Sequence, residues 1–369
     1  MRKIVTWLKD SAYILPLSPA CRMCAQGSKM VVLVTGLCSA KCFYCPLSTK
    51  KKQKDRIFAN EWELIDEKDI KKLIQEAKYI EAKGAGITGG DPLAVWKRTK
   101  NYISILKDNF GSDFHIHLYT CGTINGDKVD ELVLAGLDEI RYHPEPMYWS
   151  NMNKSPMISS IKKAQKTKVD VALEIPAIPD NEKEMFSLIN WADSIGIKWV
   201  NLNELEFSET NAKELIKKNY TVKDDISAAV KGSQGSAKNI IDIVSKKDFK
   251  VGVHYCSSSF KDGIQLRNRI KRRAKNVAKK YEIITKDGTL LKGIILSKNV
   301  SLNKIYSLLI KHFNIKHSDI SKNNEKNLIE IAPWILEKIS SKLKKQGFEC
   351  YIIEQYPTAD ALEVERTPL

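Results

Sequence analysis

No uninterrupted apolar run in the 369 residues approaches the roughly 18 that a membrane-spanning helix needs, so no transmembrane segment is expected. Met1 to Pro16 breaks its short apolar runs at Lys9 and Asp10 and has no signal-peptide core, which predicts a cytoplasmic protein. Glycine (18) and proline (12) are too scarce for collagen-like or low-complexity sequence, and no internal repeat is present. Acidic residues are in the minority: 44 Asp and Glu against 60 Lys and Arg give a net charge of +16, a balance that favours phosphate-bearing partners by counterion release. With 43% hydrophobic and 28% charged residues the chain buries a sizeable core and is not a disordered polymer. Its length suits one large domain with a smaller one.

Eight cysteines in a chain without a secretion signal point to metal or redox chemistry rather than disulfides. Cys21, Cys24, Cys38, Cys42 and Cys45 fall within 25 residues, while Cys121, Cys256 and Cys350 stand alone. Two readings compete. Cys21-x2-Cys24 and Cys42-x2-Cys45, 17 residues apart, fit a four-thiolate zinc ribbon in a non-catalytic nucleic-acid-binding protein. Alternatively Cys38, Cys42 and Cys45, in the string GLCSAKCFYCP, form a three-thiolate site that leaves one iron of a cubane cluster without a protein ligand. The apolar run Met30 to Val34, ending at Gly36, reads as a buried strand feeding the Cys38 loop. A ribbon has no use for that strand or for Cys38, so the three-cysteine reading explains more.

The spacing CxxxCxxC with Tyr44 before its last cysteine resembles the radical S-adenosylmethionine (SAM) superfamily. The string Gly89-Gly90-Asp91-Pro92, after the strand at Gly86 to Thr88, is similar to that family's GGEP motif, with Asp91 in the Glu position. The resemblance runs from about Met30 to Ser257 and lies nearest to pyruvate formate-lyase-activating-type enzymes. It implies a [4Fe–4S] cluster on Cys38, Cys42 and Cys45, SAM bound to the open iron, and reductive release of a 5′-deoxyadenosyl radical. It also implies an electron donor of flavodoxin or ferredoxin type. By motif position Tyr44, Gly89, Gly90, Asp91, Pro92 and Thr120 would contact SAM. Glu174 and Asn203, near two further strand ends, could reach its ribose or sulfonium. Cys121, in Thr120-Cys121-Gly122, takes the Asn place of a TNG-like turn and stands near the substrate. There it could donate a hydrogen atom, bind metal or fill space. Cys21, Cys24 and Cys256 suggest a second site for zinc or an auxiliary cluster. His115, His117 and His143 read as hydrogen-bonded packing residues.

Short strands alternate with amphipathic helices from Met30 to Tyr255. This predicts right-handed βαβ units and a partial (β/α) barrel of six to seven units, with functional residues at the strands' C-terminal ends. The expected organisation is an N-terminal segment (1–28), the barrel (29–258), a basic helix or linker (259–280) and a small α+β domain (281–369). Gly263 to Lys280 carries eight cations and no acid. Arg267, Arg269, Lys271, Arg272, Arg273 and Lys275 form a candidate RNA-docking surface. The expected enzyme therefore modifies RNA, most simply tRNA. The alternative is a protein-modifying enzyme such as a glycyl-radical activase.

Overall fold

The computed structural model describes residues 1–225, 227–297 and 299–369. The chain divides into two units, Met1–Leu266 and Arg267–Leu369. In chain order the first holds β1 (Ile4–Thr6), β2 (Ala12–Ile14), α1 (Pro19–Ala25), β3 (Lys29–Leu33), β4 (Ile57–Ala59), β5 (Trp62–Leu64), α2 (Ile70–Tyr79), β6 (Gly84–Thr88), α3 (Trp96–Phe110), β7 (His115–Thr120), α4 (Val129–Leu134), β8 (Glu139–Tyr142), α5 (Ile158–Ala164), β9 (Asp170–Ala177), α6 (Glu182–Ser194), β10 (Trp199–Glu204), α7 (Ala212–Lys217), α8 (Ser233–Ser245), β11 (Gly252–Cys256) and α9 (Ser258–Phe260), then a π-helical turn over Lys261–Leu266.

One sheet runs in the order β1-β2-β11-β10-β9-β8-β7-β6-β3-β4-β5. Among the described residues, its seven central strands, β11 through β3 in that order, pair in parallel. Each edge is closed by an antiparallel hairpin: β2 on β11 (Val253 opposite Ile14) and β4 on β3 (Val32 opposite Ala59). The N-terminal 28 residues, expected as a separate segment, thus belong to this sheet. Three-residue strands carry too little periodicity to reveal themselves, and pairing along β11 is what fixes them.

Alternation along the central strands separates two environments. Ile87, Ile116, Leu118, Ile140, Leu173, Val200, Leu202 and Val253 join the apolar core with helix residues such as Leu73, Ile103, Leu188 and Ile240. The intervening positions carry His117, Glu139, Arg141, Asn201 and His254, all buried and polar. Helix α1, capped by Ser18, packs against that polar side. The Ser18 hydroxyl donates to Glu139 (2.6 Å), and the Cys21 thiol accepts from Arg141 (3.4 Å).

The second unit holds α10 (Arg267–Val277), β12 (Ile283–Ile284), β13 (Leu290–Leu296), α11 (Leu302–Lys311), β14 (Ile320–Asn323), β15 (Leu328–Ile331), α12 (Pro333–Lys345), β16 (Glu349–Gln355) and β17 (Glu363–Pro368). Its antiparallel sheet runs β14-β15-β13-β16-β17, with β12 on β13. Ile305, Leu309, Leu336 and Leu343 from the helices meet Ile295, Ile329 and Ile331 in one core. This is the expected α+β architecture. The basic stretch does not form one linker: residues 259–266 belong to the first unit, and the rest opens the second.

Candidate active site

The C-terminal ends of the parallel strands surround a cavity of about 640 Å³, lined by the cysteine loop after β3, Gly89 and Gly90 after β6, Tyr119 to Cys121 at the end of β7, His143, Glu174 and Asn203. Cys38, Cys42 and Cys45 are part-buried free thiols on one wall. Their loop is clamped at both ends. Gly36 N–H donates to Lys54 O (2.8 Å), and a Cβ at Gly36 would lie 1.7 Å from Lys51 O. Further on, the Asn211 amide donates to Tyr44 O (3.1 Å) and the Thr210 hydroxyl to Leu47 O (2.7 Å). Thr210 and Asn211 are functional positions the sequence reading missed; nothing local marks them, because they act through a contact some 165 residues away along the chain.

The two motifs are joined by backbone. Gly90 N–H donates to Thr35 O (2.8 Å) and Asp91 N–H to Leu37 O (2.7 Å). An added Cβ would lie 2.1 Å from Thr35 O at Gly89, where φ is +152°, and 2.2 Å from Leu37 O at Gly90. Glycine is therefore needed because one strand end presses on the cysteine loop. Gly90→Ala must push the loop away. At the usual overpacking cost of about 1–3 kcal/mol, SAM affinity is expected to fall roughly 5- to 150-fold, measurable by equilibrium dialysis.

Asp91 and Pro92 do not take the expected cofactor-facing role. Asp91 is fully buried; its Oδ1 accepts from the Thr120 hydroxyl (2.6 Å) and from Leu93 N–H (3.1 Å), and Pro92 starts a buried 3₁₀ turn. Burial pushes the Asp91 carboxyl up. A carboxylate one methylene shorter than Glu caps the turn instead of reaching inward. Thr120 does line the cavity and accepts from Gly122 N–H (2.9 Å).

Tyr44 also lines the cavity, with its hydroxyl on His143 Nε2 (2.9 Å). Burial lowers the His143 pKa and raises that of Tyr44. Glu174 and Asn203 meet directly. Glu174 Oε1 accepts from Asn203 (2.7 Å), and Oε2 from Arg141 (2.7 Å) and Asn201 (3.0 Å). Burial pushes the Glu174 carboxyl up, but Arg141 and the two amides outweigh it and hold it below its ordinary value. The cavity thus presents a fixed, ionised acceptor suited to ribose hydroxyls or a cationic ligand. Cys121 Sγ lies 3.9 Å from Cys38 Sγ, and that contact lowers the Cys38 pKa.

The remaining candidates lie elsewhere. Cys21 accepts from Arg141 beneath the cavity, and Cys256 accepts from Gln265 (3.4 Å). Burial pushes Cys24 and Cys256 each to about 12, the range of neutral thiols. His115 pairs with Lys29 (2.8 Å) and His117 with Tyr119 (2.9 Å). Arg267, Arg269, Lys271, Arg272, Arg273 and Lys275 lie on α10. There Arg267 pairs with Asp287 (2.8 Å), and buried Arg273 donates to Pro357 O.

The donor set fits an iron–sulfur cluster. Among the described residues no three Cys, His, Asp or Glu side chains converge on one point, as a single metal ion requires. The zinc ribbon does not match the placement of its cysteines, since Cys21 sits with Arg141 and Asn201, away from Cys42 and Cys45 at the strand ends. A cubane spreads its thiolates over different irons, so three soft donors around one wall suit it.

Residues 32–192 match the Radical SAM superfamily, and residues 288–369 match a domain of unknown function, DUF8061. The whole chain aligns at 42% identity with 96% of a Methanocaldococcus jannaschii protein provisionally named a glycyl-radical enzyme activating enzyme. The chain belongs to the radical SAM superfamily. It is accordingly an enzyme whose cofactors are a [4Fe–4S] cluster and SAM. A biotin synthase of Buchnera aphidicola is 33% identical over 117 residues, 31% of each chain. Among solved structures, SuiB of Streptococcus suis bound to SAM aligns with a TM-score of 0.45 and 11% identity, covering 63% of this chain and 50% of that one. No described helix is long and apolar enough to cross a membrane.

Proposed function

We propose that this radical SAM enzyme carries its cluster on Cys38, Cys42 and Cys45 and abstracts a hydrogen atom from a backbone glycine of a partner protein. The observation that carries this reading is the end-to-end alignment with a relative named as an activating enzyme. That alignment includes the C-terminal domain, so a domain of this kind is compatible with a protein substrate. On α10, Arg267 is paired with Asp287, which lowers the net positive charge there for phosphate.

When bound, the reduced cluster supplies the electron that cleaves SAM to methionine and a 5′-deoxyadenosyl radical. The chain's residues do the rest. Gly89 and Gly90 let the end of β6 pack against the cysteine loop, Glu174 and Asn203 offer a fixed acceptor and donor, and Tyr44 packs one side. A cavity of about 640 Å³ is in the range that encloses one cofactor-sized ligand, so a macromolecule presents a short loop rather than entering whole. Exposed Lys41, Lys50 and Lys54 on and beside the cysteine loop suit an acidic electron donor of flavodoxin or ferredoxin type in a reducing cytoplasm.

RNA modification is the second reading, favoured by the net charge of +16. One experiment separates the two. Reduced enzyme with SAM, mixed with extract of cells lacking this gene, is expected to give an oxygen-sensitive organic radical split by one α-hydrogen and destroyed by protease. Stimulation of 5′-deoxyadenosine formation by bulk tRNA, lost after ribonuclease and weakened by charge reversal at Arg269 and Lys275, would favour RNA instead.

A further inference from the structure

Cys38 and Cys121 are brought together by one residue. Asp91 donates through its backbone N–H to Leu37 O, next to Cys38, and its side chain accepts from Thr120, next to Cys121. Gly122 completes the second clamp: its φ is +64°, and an added Cβ would lie 2.7 Å from the Tyr142 ring. The two sulfurs face each other at 3.9 Å. Cys121 is 8% exposed, and Cys38 opens into the cavity. A disulfide needs the sulfurs at roughly 2.05 Å, so bond formation requires the two side chains to close from 3.9 Å.

We propose that Cys38 and Cys121 form a reversible disulfide in the cluster-free chain, which keeps a ligand thiol recoverable under oxidation. This rests on the reading of Cys38 as a cluster ligand. The oxidant is a peroxide. Cys38 is oxidised to a sulfenic acid as hydrogen peroxide is reduced to one water. Cys121 then displaces hydroxide, forming the S–S bond and releasing a second water. Two thiols lose two electrons and two protons in all, and an external dithiol reverses the step by exchange. Without Cys121 the sulfenic acid goes on to the irreversible sulfinic and sulfonic acids.

The test uses the full-length chain stripped of iron, treated with hydrogen peroxide, alkylated and mapped by peptide mass spectrometry. A second portion is treated with dithiothreitol and reconstituted without oxygen. The expected map has Cys38–Cys121 as the main disulfide, and the wild-type chain regains its untreated iron content. Cys121→Ser is expected to regain roughly threefold less, because Cys38 has been lost to higher acids. A map dominated by Cys42–Cys45 would overturn the proposal, as would full recovery by Cys121→Ser. The wild-type map decides even if the variant folds poorly. If untreated Cys38→Ala loads iron normally, the ligand reading fails, while the map still decides whether the disulfide forms.

Discussion

Replacing Cys42 with alanine is expected to lower iron from about four per chain to near background and to abolish 5′-deoxyadenosine formation. Cys42 is part-buried on the wall of the cavity, and it packs only at the edge of the core. Its truncation therefore costs the fold little, on the order of 1 kcal/mol or less. Burial pushes the thiol to about 11, so in the metal-free chain it is a neutral group whose proton must leave on ligation. Two remaining thiols cannot hold a cube that needs three protein ligands. The check is iron and sulfide per chain beside a denaturation midpoint. Iron loss at an unchanged midpoint identifies a ligand, whereas retained iron and SAM cleavage would remove Cys42 from the site.

Arg141→Ala carries the largest expected cost in stability. Arg141 is 3% exposed and bonds Glu139 (2.5 Å), Glu174 (2.7 Å) and Ser18 (3.1 Å). Removing it takes the cationic partner from buried Glu139 and part-buried Glu174, an expected loss of about 3–5 kcal/mol at pH 7. The pH dependence gives the effect its signature. In the wild type Glu174 lies below its ordinary value of 4.5, so its contribution is present above that value and is lost only as pH falls through the lower folded value. Without Arg141, burial dominates and the folded pKa rises above the unfolded one. The variant is then favoured by protonation and recovers as pH falls towards 5. Urea midpoints at pH 7 and pH 5 should show the gap to wild type narrowing on acidification. A constant gap, or one under 1 kcal/mol at pH 7, would contradict the network.

Both predictions turn on features that were unequally legible in the sequence. The cysteine spacing, the glycine pair and the strand–helix alternation are local, and the alternation from Met30 to Tyr255 corresponds to the parallel strands from β3 to β11 and the helices between them. The edge hairpins are not local; β1, β2, β4 and β5 exist because β11 and β3 offer unpaired edges to them. Arg141 gave no signal either. One arginine in a four-residue strand becomes a hub only once Ser18 and Glu174 arrive from two other elements to join Glu139 of its own strand. The sequence placed Asp91 in a motif but could not show its orientation, which depends on Thr120 lying opposite it on β7. In the basic helix, counting cations within one segment cannot see Asp287 or the Pro357 carbonyl, which engage Arg267 and Arg273.

The most direct test of the account is the metal content of the anaerobically reconstituted chain, measured with 5′-deoxyadenosine formation in the wild type and in the double variant Cys21→Ser, Cys24→Ser. The account predicts about four irons per chain and SAM cleavage in both. Zinc without iron, or loss of the iron in the double variant, would contradict the placement of the cluster on Cys38, Cys42 and Cys45.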